Sequence, residues 1–406
     1  MMRKIRHAEL AIGQTLAFDC YDAQENFLLR RGQVISSEKQ IEFLIARGFF
    51  KNLPAGVKRP STPPANEAPK EKTPFGILEY CKDQVRALFN KIRIDRGARQ
   101  PGVNNFDTLK KSYRETIRNI DGNKTADFQG QILNVCKGIQ DMCRDDQDAA
   151  IGSVHLDPLC RYTTVQPLHK AILSEILASR LGVSQQERLS ILAAALTANI
   201  SILDLQELLH TQAAPLSESQ QKMIKLHPLP SIEMLLELGV SDDMWIQTIL
   251  HHHERFDGSG YHCGLKGSAI SQGAQILSLA DTYSAMLKPH AHRNAARAKE
   301  ILQKMFMNRG AVFAEELVQA FIKELGIYPP GSMVKLQNGE LAIVTRRSPS
   351  PSAPKVKSIL NALGMPMTTS VSRDTTMGPF AICAGIPRSR IQKVNYHALW
   401  DYMAAA

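Results

Sequence analysis

The sequence predicts a mostly α-helical protein: a helical bundle, preceded by a small mixed α/β unit and followed by a β-hairpin appendage. Three observations carry this prediction. Apolar residues recur at helical spacing through most of residues 75–326, a stretch of prolines and charges cuts residues 1–56 off from them, and close to the end apolar residues alternate around an Asn-Gly pair. The length of 406 residues is that of two or three domains of about 150 residues each.

Taken in order, residues 1–56 hold short apolar runs, Leu10 to Gly13 and Phe43 to Phe50, which suit a small mixed unit. Phe27 to Ile35 is expected as a strand and turn leading into a helix over 36–45. Residues 57–74 form a linker, because Pro60, Pro63, Pro64 and Pro69 remove backbone donors and fix φ. Helices are expected over 75–93, where Ile77, Leu78, Val85, Leu88 and Phe89 make one stripe, and over 106–119 and 128–144. Residues 161–212 read as helical with one joint at Leu181-Gly182-Val183-Ser184, a glycine stop followed by a serine cap. Further helices follow Leu216-Ser217-Glu218-Ser219 and occupy 269–287, 294–306 and 313–325. The segment 327–406 is the appendage, with a hairpin over 333–344 turning at Asn338-Gly339.

The composition, with 44% hydrophobic and 22% charged residues, excludes a disordered or collagen-like chain. A formal charge of +10 favours anionic partners without choosing among them. The seven cysteines form no C-x-x-C pair or finger spacing, so they are expected to be reduced, mostly core residues. The basic start lacks the apolar segment of a signal peptide, and no run of eighteen apolar residues occurs, so a cytoplasmic location without a transmembrane segment is expected. No basic and aromatic arrangement large enough for nucleic-acid reading is evident.

The chemistry concentrates in His251-His252-His253-Glu254-Arg255-Phe256-Asp257-Gly258-Ser259-Gly260-Tyr261-His262, with His227 before it and Asp281 after it. Imidazoles and a carboxylate are ligands for Zn, Mn or Fe, so His227, His252, His253 and Asp281 are candidate metal ligands. Adjacent histidines also occur as solvated tracts, and an aspartate can cap a helix. His155, His169 and His210 lie in helical segments where packing or hydrogen bonding accounts for them.

The run His252 to Tyr261, with Lys225-Leu226-His227-Pro228 before it and Leu279-Ala280-Asp281-Thr282-Tyr283 after it, resembles the HD-GYP family of metal-dependent cyclic-diguanylate phosphodiesterases. The resemblance spans about 162–293 and implies an HD-type helical bundle. It also implies substrate contacts from Arg255, Gly258, Gly260 and Tyr261. The match is incomplete: the defining His-Asp dyad falls on Ala198-Asn199, the following lysine on Ile202, and the earlier glutamate and histidine on Tyr162 and Gln166. The proline after the family's tyrosine is His262, and its Arg-Pro-Tyr loop corresponds to Lys288 to Arg293.

These substitutions remove a ligand, a metal-bridging charge and a phosphate-neutralising cation. The expectation is a signalling protein with a degenerate HD-GYP domain, regulatory or partner-binding, with no catalytic residue confidently retained and conventional phosphodiesterase activity lost or severely reduced. The implied cofactor is one Fe, Mn or Zn ion, and the implied partners are cyclic di-GMP, a signalling protein, or a second copy of the chain. The alternatives are an active phosphodiesterase with a remodelled site and a non-enzymatic nucleotide receptor.

Overall fold

A computed structural model describes residues 106–121, 127–156, 161–288, 296–387 and 399–400, together with short segments among the first 51. The expected linker over 57–74, the helix over 75–93 and the loop from Pro289 to Arg293 lie outside the described residues. The chain divides into two compact units, residues 1–90 and 91–406.

In the first unit, β1 (Met2–Lys4), β2 (Cys20–Tyr21), β3 (Phe27–Leu29) and β4 (Phe49–Lys51) form an antiparallel sheet in the order β1-β4-β2-β3. Tyr21 pairs with Phe49 and Cys20 with Phe50. The apolar run ending at Phe50 therefore supplies an inner strand. Ile41 is helical and buried, within the segment where a helix is expected.

The second unit begins with α1 (Phe106–Asp121), α2 (Phe128–Asp145) and α3 (Gln147–Leu156). The helix α4 (Tyr162–Arg180) is its axis and packs against α1, α2, α3, α5 (Gln185–Thr197), α6 (Leu203–Thr211), α10 (Gln272–Leu287) and α12 (Glu315–Leu325). Being enclosed on every side, α4 carries no amphipathic stripe, and its buried residues include Gln166, His169, Lys170, Ser174 and Glu175. The joint to α5 follows the sequence: Gly182 takes φ +74°, the Val183 N–H reaches back to Ala178 O at 3.0 Å, and Ser184 caps α5 in a capping box with Glu187.

A 3-10 turn (Ile200–Ile202) leads into α6, after which α7 (Glu218–Leu226) starts on a second capping box, Ser217 with Gln220. Pro228 opens α8 (Pro228–Glu237), and Asp242 caps α9 (Asp243–His251). The segment Gln185–Thr211 is long and apolar enough to cross a membrane by composition alone, yet 78% of its apolar window is buried inside this bundle. The unit continues with α11 (Ala298–Met307) and α12.

The expected hairpin is present but forms part of a larger sheet. β5 (Met333–Leu336), β6 (Leu341–Arg346), β7 (Lys355–Leu360), β8 (Pro366–Asp374) and β9 (Ile382–Ile386) make an antiparallel sheet in the order β8-β7-β6-β5-β9. At its turn only Gly339 takes a positive φ, +90°, and its N–H bonds Leu336 O at 3.0 Å. The turn is therefore one residue wider than a two-residue hairpin loop. The sheet is fastened to the bundle by ion pairs of Arg346 with Asp146 and of Arg347 with Asp148 and Glu324.

Candidate metal centre

Three histidines converge where α7 meets α8 and where α9 ends. His227 sits at the α7–α8 junction, and His252 and His253 follow α9. Their ligand atoms all lie within 4.8 Å of one another. His227 is 2% exposed and His252 1%. Both helix ends leave carbonyls without intrahelical partners, and these carbonyls set the tautomers. His227 Nδ1 donates to Ile224 O at 2.6 Å and His252 Nδ1 to Ile249 O at 2.7 Å. Each Nε2 is thereby left as a lone-pair donor, and both Nε2 atoms are buried without a hydrogen-bond partner.

Burial, aided by the Lys170 ammonium, lowers the His227 imidazole to about 4, against opposing contributions from Ile224 O and Asp281. Burial likewise pushes His252 and His253 well below the ordinary imidazole value, with neighbouring histidines and Lys170 acting in the same direction. The trio is thus neutral at pH 7, as a metal requires of imidazole ligands. Two orphaned, correctly oriented Nε2 atoms and a third imidazole fit one transition-metal ion.

Asp281, on α10, is not within that 4.8 Å cluster. Its Oδ1 faces Lys170 Nζ at 3.4 Å, and the lysine side chain is wholly buried. One turn back along α4, Gln166 Nε2 donates to Ser284 Oγ at 2.9 Å, and Ser284 Oγ donates to Asp281 O at 3.1 Å. The Gln166 position is therefore used to join α4 to α10. Tyr162 is buried and stacks on His210 with ring centroids 4.9 Å apart. Ala198 is fully buried at the end of α5, Ile202 is buried in the 3-10 turn, and Asn199 Oδ1 is buried without a partner. None of the side chains at these five positions is a carboxylate or an imidazole. His169 is fully buried and stacks on Phe106 at 5.5 Å, apart from the trio.

The loop after α9 is held from within by Glu254, which is 2% exposed. Its Oε1 accepts from the N–H groups of His262 at 3.1 Å and Cys263 at 2.6 Å, and its Oε2 from that of Leu265 at 3.1 Å. Gly258 needs its φ of +84°. Gly260 needs its lack of a side chain, since a Cβ there would stand 2.4 Å from Arg255 N and Glu254 Cα. Tyr261 stacks on His253 at 4.7 Å, and burial, with Asp281 acting the same way, raises its phenol. From the trio's exposed edge opens a cleft of about 300 Å3, lined in part by His253, Arg255, Tyr261, Thr282, Lys304 and Asn308. The structure places Arg255 and Tyr261 together there with Lys304; Gly258 and Gly260 shape the loop backbone.

Sequence reasoning missed Lys170, Glu254 and Lys304. Lys170 carries no distinguishing signal in the sequence, because the enclosure of its helix on all sides is a property of the fold.

Residues 153–316 match the family model described as HD domain, which defines the class of the helical core. This match, the similarity to relatives named cyclic di-GMP phosphodiesterases and the His252–Tyr261 loop support the resemblance to the HD-GYP family. It is 27% identical over 216 residues to a cyclic di-GMP phosphodiesterase of Pseudomonas aeruginosa, covering 53% of this chain and 52% of that protein. It is 30% identical over 152 residues to the cyclic di-GMP phosphodiesterase response regulator RpfG of Xanthomonas campestris, covering 36% and 39%. A 3'3'-cGAMP-specific phosphodiesterase of Vibrio cholerae is 24% identical over 220 residues, covering 53% and 47%. The chain thus spans about half or less of the length of these relatives. A solved HDGYP protein from Bdellovibrio bacteriovorus superposes with a TM-score of 0.47 at 14% identity, over 80% of this chain and 99% of that one.

Proposed function

We propose that this protein is a signalling protein whose HD-GYP domain has lost conventional phosphodiester hydrolysis and serves as a regulatory, partner-binding module that also reads a cyclic dinucleotide. The observation that carries the reading is the division of the centre. The histidine trio keeps its ligating lone pairs, whereas the dyad positions are Ala198 and Asn199 and the remaining carboxylate, Asp281, faces an ammonium. A metal held by His227, His252 and His253 would supply Lewis acidity and lower the pKa of water. Hydrolysis also needs charge stabilisation of the phosphoryl oxygens, and the bridging carboxylate and the family's lysine are replaced by Asn199 and Ile202. Names of relatives such as cyclic di-GMP phosphodiesterase and 3'3'-cGAMP-specific phosphodiesterase support a cyclic dinucleotide as the ligand class. In the cleft, Tyr261 offers a stacking face, while Arg255 and Lys304 offer cations for a phosphodiester.

The test is to supply purified protein with Mn(II) or Fe(II) and cyclic di-GMP while following both binding and product. The expected outcome is saturable binding, weakened by Arg255→Ala, without metal-dependent product. Sustained turnover that His252→Ala abolishes would overturn the reading in favour of a phosphodiesterase with a remodelled site. That alternative has one specific observation in its favour, the pair of preoriented Nε2 atoms.

A further inference from the structure

Among the described residues, the least expected group near the trio is the ammonium of Lys170. Its side chain has no exposure to solvent, and Nζ makes no hydrogen bond of acceptable geometry. Its ionic partner is Asp281 Oδ1 at 3.4 Å. A buried ammonium is strongly disfavoured without a counter-charge, and Asp281 is the counter-charge the fold sets against it. The same ammonium acts electrostatically on all three histidines, lowering each in the direction that a neighbouring cation would. A positive charge is therefore paired with the carboxylate and felt by all three imidazoles. Two neighbours reinforce the arrangement: Gln166 ties the same face of α4 to Ser284 of α10, and Ser284 in turn bonds the backbone of Asp281.

We propose that Lys170 is a built-in cation that takes Asp281 away from the histidine centre, so that it limits the site to a single, weakly held divalent ion. This rests on the trio being the metal site and goes beyond the functional reading, because it assigns the limited metal capacity to a residue present on α4 as well as to the side chains at 198 and 199. The consequences follow from charge and ligand count. With Lys170 in place, an incoming divalent ion meets three neutral nitrogens and a nearby like charge. With a neutral side chain at 170, the same ion meets three nitrogens and a free carboxylate, the donor set that divalent transition metals favour.

The experiment uses the full chain, stripped of metal by chelator and equilibrated against Mn(II), with bound metal measured by equilibrium dialysis and elemental analysis. Lys170→Met preserves side-chain length and apolar packing, Lys170→Gln adds a neutral donor for Asp281, and Lys170→Arg keeps the charge. Each is checked for native helicity by circular dichroism. The expected result is that Lys170→Met binds Mn(II) about tenfold or more tighter than the parent protein, a change on the scale of altered metal surroundings, while Lys170→Arg does not. Should Lys170→Met fail to fold, Lys170→Gln decides by the same comparison. Mn(II) affinity unchanged or weakened in a folded neutral variant overturns the proposal, as does an absence of Mn(II) binding in the parent and the neutral variants alike. Product formation from cyclic di-GMP by the parent protein would instead sink the functional reading and leave the affinity comparison standing, so the two failures are distinguishable.

Discussion

Glu254 illustrates how a side chain can matter without facing a ligand. Three backbone N–H groups converge on its buried carboxylate and fix the turn that carries Gly258, Gly260 and Tyr261. Glu254→Ala leaves those donors without an acceptor and is expected to destabilise the fold by about 3 kcal/mol, with Glu254→Gln costing less because an amide oxygen still accepts. Urea unfolding of the two variants checks this; a loss below that of a typical surface substitution would show the loop to be held by other contacts. At this scale the sequence was a partial guide. The histidines and Tyr261 could be found because they fall in a distinctive run, whereas Lys170 looks like an ordinary solvated charge, and Glu254, although inside that run, gives no sign of its burial until tertiary packing encloses it. A one-dimensional pattern does not reveal that α4 is surrounded on all sides, and that enclosure is what turns Lys170 from a surface residue into part of the centre.

Elements with their own punctuation were legible. The α4–α5 joint, the Ser217 start of α7 and the Asn338-Gly339 turn each carry local chemistry that decides the backbone, and each lies where the residues predict. β7, β8 and β9 were not legible: Pro366 to Asp374 is rich in Thr and Ser, and its pairing with β7 depends on register across the sheet. Glu340 helps to set that register by accepting from Arg373 through Nε at 2.9 Å and Nη2 at 2.8 Å, and from Ser358 Oγ at 2.6 Å. Chiefly through the Arg373 hydrogen bonds, its carboxyl is held down to about 2. A carboxyl with a depressed folded-state value contributes stability above its unfolded value near 4.5 and loses it as pH falls toward 2. Solvent screening at this rim brings the contribution to about 1–2 kcal/mol. Glu340→Gln is therefore expected to melt below the parent protein at pH 7, with the gap closing between pH 4.5 and 2. A gap that persists at the acid end would point to lost shape or hydrogen bonding in place of lost charge.

Within the unit spanning residues 91–406, side-chain pairings tie the terminal sheet to the helices. Arg347 spans two helices by pairing with Asp148 of α3 and Glu324 of α12, Glu324 also meets Arg180 at the end of α4, and Trp400 Nε1 donates to Thr345 O at 3.0 Å. Such long-range pairings are invisible to periodicity because their partners lie far apart in the chain, 199 residues in the case of Arg347 and Asp148. Severing them by Arg347→Ala takes the cation from partly buried Asp148 and leaves Glu324 with Arg180 alone, and is expected to destabilise the unit by about 2–4 kcal/mol. The same guanidinium has a consequence for how the molecule breathes. Because it ties the end of β6 to α3, the slowest amides of strand and helix should share one cooperative opening and exchange with deuterium at a common free energy. In Arg347→Ala the two sets are expected to part, the β6 amides exchanging first while those of α3 and α4 keep the protection of the helical core.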